Sequence, residues 1–189
     1  MARDRRIAVL TLETASSTGV LIPLKEIRGE TLRAALTIWT DRRGARSVPK
    51  KGDMSPRDMR TFLRDVMLFD VLDSGRNFRC RVMGDGAVVA WGASFQRMNR
   101  TDMNSVQAGM GDVFARVLRA CARRQGPIVT RGILWRAQFD ECDQETLFPP
   151  FSSKDGSIDQ VLCVGSYKAR QPGTAANQDY RTYRRVCCT

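Results

Sequence analysis

Two apolar-rich runs, 66–73 and 78–84, constrain the fold of this chain more than any other feature. In the second run apolar residues alternate with arginines, which is typical of a strand with one face in the core and the other in water. The residues between the runs, 74–77, read Ser-Gly-Arg-Asn and suit a tight turn, because Gly and Asn tolerate positive φ. The runs therefore predict a β-hairpin whose second strand turns Cys80 and Val82 towards the core.

A long amphipathic helix and three more strands are predicted after the hairpin. The helix has an apolar stripe on one side and arginines away from it. The stripe consists of Val106, Met110, Val113, Phe114, Val117, Leu118 and Cys121. Strands are expected at 128–137, 146–152 and 158–167, and turn-forming residues at 153–156 join the last two.

Three shorter segments are expected to be helical. Between 29 and 43, apolar residues recur at helical spacing. A second helix is predicted to begin at residue 55, because Ser55 suits the N-cap, a proline takes the first helical position and an acid follows three residues after the cap. The sequence at 87–91 favours a short helix, whereas 93–105 is polar and is expected to be irregular.

The ends of the chain are interpreted as additions to one domain. Two short apolar runs, 7–12 and 19–24, predict a hairpin or an extended arm that packs on the domain or pairs with a partner chain. With 189 residues, of which 42% are hydrophobic, the chain suits a single domain with a substantial core. The expected parts are an N-terminal extension (1–24), a central domain (25–168) and a polar C-terminal tail (169–189).

The order of these parts resembles a PAS-type sensory domain of small bacterial proteins of alphaproteobacterial type. The resemblance rests on Trp39 in a helix, Pro49, the helix start Asp53-Met-Ser-Pro56, the strand Leu68-Phe-Asp-Val71 and the strand Phe78-Arg-Cys-Arg-Val-Met-Gly84. It implies an α+β fold in which a five-stranded antiparallel sheet carries helices on one face. It also implies a domain that senses or docks, binding a small ligand or a partner protein in signal transduction, without catalysis.

The resemblance and the apolar patterns together give two sets of candidate site residues. Residues of the hairpin and of the helices either line a ligand cavity or fill the core; they are Cys80, Val82, Trp91, Met110, Phe114 and Leu118. Leu32, Leu36 and Trp39 are interface candidates, because they lie outside the predicted sheet-and-helix core. A homodimer or a signalling partner bound through this N-terminal region is expected, with the alternative that the region covers the domain's own sheet.

The net charge of +11 leaves a second function class open. It comes from 31 basic against 20 acidic residues, and the basic residues are scattered along the chain. A nucleic-acid-associated binding module is therefore an alternative, with weak and non-specific phosphate contacts expected. On the hairpin, Arg79 and Arg81 either contact an anion or pair with Asp70 or Asp73 across the strands.

The absence of histidine removes much common catalytic and cofactor chemistry. A His-ligated haem, a Ser-His-Asp triad and a His-based zinc site are excluded, and no phosphate-binding glycine loop occurs. None of the six cysteines forms a C-x-x-C pair, so no disulfide framework is expected. The acidic run 140–145 is interpreted as a connecting loop rather than a metal site. A small enzyme that uses Asp and Arg is kept as a further alternative.

A flavin is also disfavoured, and the cofactor stays unknown. Residues 75–80 resemble the G-R-N-C-R-F box of flavin-binding light sensors, but the cysteine comes two residues later and falls on a predicted strand rather than a helix. Without a run of 18 apolar residues, the sequence predicts no membrane span. Because the N-terminus also makes no persuasive signal peptide, a cytoplasmic protein is expected.

Overall fold

One antiparallel sheet organises the molecule. The structure, a computed structural model, describes residues 12–14, 17–135, 141–153 and 156–169. The predicted tail, most of the first apolar run and the end of the strand predicted at 128–137 lie outside these residues. The strands are β1 (Leu12–Glu13), β2 (Ser17–Ile22), β3 (Val66–Leu72), β4 (Asn77–Met83), β5 (Ile128–Trp135), β6 (Glu141–Phe148), β7 (Pro150–Ser152) and β8 (Ile158–Ala169).

The strand order is β1-β2-β5-β6-β8-β3-β4, and β7 also pairs with β8. The predicted hairpin of β3 and β4 joins the C-terminal strands through β3 and β8, where Met67 lies opposite Cys163. The prediction of one antiparallel sheet that contains both groups of strands is therefore confirmed. The second apolar run of the N-terminal region forms β2, which pairs with β5 along its whole length, from Ser17 opposite Leu134 to Ile22 opposite Val129.

Helices cover both faces of this sheet. The helices are α1 (Glu30–Arg43), α2 (Asp85–Trp91), α3 (Arg100–Val106) and α4 (Met110–Arg124). Neighbouring residues on a strand point to opposite faces. On β6, Thr146 lies in the space beside Phe114 of α4, whereas Glu145 contacts the residues that precede α1. The helices α2–α4 thus pack on the inner face, and α1 packs on the outer face.

A buried ion pair fixes the start of α1. The Glu145 carboxylate accepts hydrogen bonds from the backbone N–H of Arg28 (3.0 Å) and of Gly29 (2.7 Å), the N-cap residue. The Arg131 guanidinium contacts the same carboxylate, with Nη2 at 2.7 Å from Oε1. An anion at a helix N-terminus satisfies free N–H groups and opposes the helix dipole. These contacts therefore hold α1 against β5 and β6.

Four local predictions were wrong. Residues 56–61 form successive turns that lead into a short 3-10 helix, Leu63–Asp65, although Ser55 and Asp58 make their expected hydrogen bonds. The polar stretch 93–105 contains α3, and the acidic run from Glu141 onwards lies on β6 rather than in a loop. The long helix begins at Met110, which leaves the predicted stripe residue Val106 exposed at the end of α3.

None of the described helices is long and apolar enough to cross a membrane.

Candidate functional site

Aromatic side chains form the centre of the inner face. Phe114 of α4 is 2% exposed, and its ring centroid lies 4.9 Å from that of Phe69 and 5.7 Å from that of Trp91. Phe78 packs edge-on against Phe69 at 5.5 Å. Contacts of this kind add to the stability that burial alone provides. Phe114 thus joins α2, α4 and the hairpin in one packed cluster.

A small core cavity lies beside this cluster. Its volume is about 20 Å³, which leaves room for one water molecule. Trp91 and Phe114 line it on the helical side, and Ser17, Thr130 and Thr146 line it on the sheet side. Among the described residues, the Thr146 hydroxyl has no hydrogen-bond partner. A larger molecule would fit here only if core side chains moved.

The candidate cavity residues from the sequence have three different locations. Trp91 and Phe114 line the core cavity, whereas Cys80, Met110 and Leu118 are fully buried and lie outside its lining. Val82 is 41% exposed, so its prediction was wrong. The other five candidates face inwards, and they mostly fill the core.

A β-bulge explains the outward position of Val82. Leu68 lies opposite Val82, but the next residue of β3, Phe69, lies opposite Cys80, so Arg81 is an extra residue in β4. An extra residue interrupts the in-and-out alternation of a strand. As a result Arg81 and Val82 both face outwards, and Met83 takes the inward position.

The buried cysteines of the inner face have low reactivity. Burial raises the pKa of the Cys80 thiol to about 12, and it also raises the pKa values of Cys121 and Cys163. A protonated, buried thiol is a poor nucleophile and a poor metal ligand. Among the described residues, no group of three or more His, Cys, Asp or Glu side chains is arranged to hold a metal ion.

The hairpin arginines differ in their contacts. Arg81 Nη1 lies 3.6 Å from Asp70 Oδ1, and Gln160 donates a hydrogen bond of 2.7 Å to the same oxygen. Arg81 therefore pairs with Asp70 across the strands, which is one of the two alternatives that the sequence left open. Arg79 is exposed and has no ion pair among the described residues.

The proposed N-terminal interface is largely covered within the chain itself. Leu32 and Trp39 are buried against the outer face, and the Trp39 indole N–H donates a 2.8 Å hydrogen bond to the Pro150 carbonyl. Leu36 is half-buried beside them. The interface prediction was therefore wrong for Leu32 and Trp39, because the α1 stripe covers the sheet of its own chain.

A second, larger space opens between α1, α2 and the end of β8. This outer cavity has a volume of about 360 Å³, and its polar lining includes Thr31, Arg64, Asp65, Ser166 and Tyr167. Sequence reasoning missed it. Its residues come from four distant segments, and only the fold of the sheet and the path into β3 bring them together.

The exposed side of α4 carries a row of arginines. Arg116 and Arg123 are exposed and Arg119 is half-buried between them, at spacings of three and four residues that share one helix face. None of the three forms an ion pair with a described residue. We call Arg116, Arg119 and Arg123 the α4 arginine row.

Comparison with known proteins gives the family of the chain. A family model described as a PAS domain matches residues 27–167, about three quarters of the chain. The match spans α1, all the inner-face helices and the strands from β3 to nearly the end of β8. No curated protein matches the chain significantly. Both the sheet described above and this match agree with the resemblance of the sequence, so the chain belongs to the PAS domain family, whose members are sensory and regulatory signalling modules.

Proposed function

We propose that this PAS domain is a cytoplasmic, non-catalytic regulatory module that signals by docking its α4 surface onto an acidic partner protein. The observation that carries the proposal is the α4 arginine row. A helix rises 1.5 Å per residue, so the row spans about 10 Å. Like charges at these spacings destabilise a helix by about 0.2–0.5 kcal/mol per pair. An anionic partner would relieve this repulsion.

The chain itself compensates the charge of the row only in part. The pKa of Asp112, one turn before Arg116, is held below its usual range mainly by a hydrogen bond with Arg100, whose Nε lies 2.6 Å from Asp112 Oδ1, and to a lesser extent by the charge of Arg116. Arg119 Nε is shielded from solvent and has no hydrogen-bond partner among the described residues. A buried donor without a partner lowers stability.

The turn between β3 and β4 extends the basic surface. Gly75 has a φ of 85°, and a Cβ at this position would lie only 2.9 Å from the Cα of Arg119. Glycine therefore lets the turn pack directly on α4. Arg76, the next residue, is exposed and forms no ion pair with a described residue, so it adds a fourth guanidinium beside the row.

An acidic protein fits this surface better than a nucleic acid does. The guanidinium fork binds carboxylates and phosphates equally well. However, the spacing of the row matches carboxylates one turn apart on a partner helix. Single-stranded nucleic acids are usually bound through exposed aromatic side chains, whereas each aromatic side chain whose exposure the structure describes is buried or half-buried. A nucleic acid remains the second candidate, because the row and the net charge of +11 favour any polyanion.

The test compares two double variants of the full chain that change net charge equally. Arg116→Glu/Arg123→Glu reverses the ends of the row, and Arg57→Glu/Arg60→Glu is the matched control on an exposed segment outside α4. Fluorescence anisotropy measures binding to a helical peptide with glutamates one turn apart and to duplex DNA, over a range of salt concentrations. We expect the row variant alone to lose peptide binding, and DNA binding to be weak and to fall similarly in both variants.

Two results would oppose the proposal. Equal loss of peptide binding in both variants would mean that net charge, and not the row, attracts the peptide. DNA binding that discriminates between sequences and persists at high salt would instead support the nucleic-acid candidate.

A further inference from the structure

The outer cavity is a preformed space at one end of the sheet. Its volume of about 360 Å³ lies within the range of about 300–1,000 Å³ that is usual for small-molecule pockets. Thr31 of α1 borders it on one side and Val89 and Ala90 of α2 on the other. It is thus separate from the water-sized core cavity, and it shares no residue with the α4 arginine row.

Two glycines leave space for side chains that line the cavity. A Cβ added to Gly86 would overlap Asp65 Oδ1, and a Cβ added to Gly165 would overlap the Tyr167 hydroxyl. Neither glycine has a positive φ, so the requirement at both positions is for space and not for an unusual backbone conformation. The glycines therefore let the Asp65 carboxylate and the Tyr167 phenol occupy the lining.

Opposite charges line this cavity without forming a direct ion pair. Arg64 and Asp65 are neighbours in sequence, but no nitrogen of Arg64 comes within 4.0 Å of the Asp65 carboxylate, and neither residue forms a hydrogen bond through its side chain with a described residue. Burial raises the pKa of Asp65, and the nearby Arg64 charge opposes this effect. A partly buried carboxylate without a partner is costly, and a bound cation would offset that cost.

Hydroxyl groups complete the lining. The Tyr167 hydroxyl accepts a 3.0 Å hydrogen bond from the Trp91 indole N–H, which leaves its own proton free to be donated. Burial raises the pKa of Tyr167, so this proton is retained at neutral pH. The Ser166 and Thr31 hydroxyls have no hydrogen-bond partner among the described residues. The cavity thus offers donors and acceptors beside one positive and one negative charge.

We propose that the outer cavity binds a compact zwitterion of the α-amino acid type, with its carboxylate at Arg64 and its ammonium group at Asp65. A zwitterion places an opposite charge against each wall charge, whereas a simple anion or cation leaves one of them unpaired. Arginine binds a carboxylate through paired N–H groups. The apolar surface of Val89, which is 64% exposed, is then available to the ligand side chain.

Occupation of the cavity would reach both faces of the sheet. The ligand would contact α1 through Thr31 and, through Tyr167, the Trp91 side chain that lines the core cavity. The site thus gives the PAS domain an input that is distinct from its core. It does not depend on the docking function proposed for α4.

Calorimetric titration of the full chain with a panel of free L-amino acids tests the proposal. We expect saturable binding of at least one of them. Its amide, which lacks the carboxylate, and its N-acetyl derivative, which lacks the ammonium group, should each bind at least about tenfold more weakly. Arg64→Gln and Asp65→Asn should weaken binding similarly, whereas Arg60→Gln, an exposed neutral control, should leave it unchanged.

Urea melts of each variant verify that the fold is retained. Because Arg64→Gln and Asp65→Asn remove opposite charges, one variant still tests the proposal if the other fails to fold. The proposal is overturned if no amino acid binds saturably at millimolar concentration. It is also overturned if binding survives removal of either ligand charge or is unaffected by both variants. Because Arg116→Glu/Arg123→Glu leaves this cavity untouched, its effect on docking is read separately.

Discussion

Phe114 is the residue at which the inner-face elements meet. It contacts an aromatic ring from β3, one from β4 and one from α2, and it also lines the core cavity. Because α4 otherwise touches the sheet mainly through smaller aliphatic side chains, the loss of this ring would leave a void that its neighbours fill poorly.

We therefore expect Phe114→Ala to lower the free energy of unfolding by about 3–5 kcal/mol, as truncations of large core side chains do. Urea denaturation followed by circular dichroism measures the change. Val106→Ala is the matched control on α3, because Val106 was part of the same sequence stripe but is exposed. A midpoint for Phe114→Ala equal to that of the parent would show that α4 does not pack on the sheet through this ring.

Single residues also mark the limit of sequence reasoning. Phe114 could be placed in the core because the apolar stripe of α4 is regular over four turns. The outward position of Val82 could not be predicted. The sequence of β4 alternates regularly up to Val82, but the bulge at Arg81 turns Val82 away from the core. A bulge depends on the pairing with β3 and leaves no clear local signal in this sequence. The same holds for Asp65, whose neighbours in the outer cavity come from distant segments.

At the scale of elements, α1 depends on a charge pair that sequence patterns do not reveal. Arg131 and Glu145 lie opposite each other on β5 and β6, and both are largely shielded from solvent. They satisfy one another and the N–H groups that precede α1. Removal of one partner would leave the other charge buried and unpaired.

Glu145→Ala should accordingly lower the free energy of unfolding by about 3–5 kcal/mol, as expected when a buried pair is broken. Arg100→Ala, which breaks the exposed Arg100–Asp112 pair, should cost about 1 kcal/mol or less. Both changes are measured by urea denaturation, and hydrogen exchange should show the amides of the first turn of α1 exposed only in Glu145→Ala. Similar losses in the two variants would argue against a structural role for the Glu145 carboxylate.

Element boundaries show why local signals succeed or fail. The capping hydrogen bonds of Ser55 and Asp58 form and, together with Arg42, hold the pKa of Asp58 at about 2, yet the chain follows turns that bury Met54 and Phe62. Conversely, α3 begins with a complete capping box at Asn99 and Asp102 inside a stretch that looked irregular. The cap signal was present in the sequence, and the polar composition obscured it.

For the whole molecule, the two proposed surfaces lie on different elements. The α4 arginine row belongs to the inner-face layer, whereas the outer cavity lies where α1, α2 and β8 meet. Trp91 is bonded to Tyr167 at the outer cavity and packs on Phe114 of α4. Ligand and partner could thus influence each other through Trp91 and Phe114 without sharing a contact residue.

Two arrangements of the N-terminal region are compared for the whole molecule. Either α1 covers the sheet of its own chain, or α1 is free to bind a partner chain. Leu32 and Trp39 are buried on the outer face, and burial of each such side chain contributes about 1.5–3 kcal/mol. A chain that begins at Arg46 would expose that face, lose β1 and β2 from one side of the sheet and leave the Arg131–Glu145 pair without α1.

We expect this shortened chain to show no cooperative thermal transition and to aggregate, whereas the full chain melts cooperatively. Circular dichroism and size-exclusion chromatography with light scattering measure both properties at tens of micromolar. A shortened chain that melts near the temperature of the parent would show that α1 is dispensable for folding. In that case α1 would be available as the interface of a homodimer, which the measured mass of the full chain would then have to show.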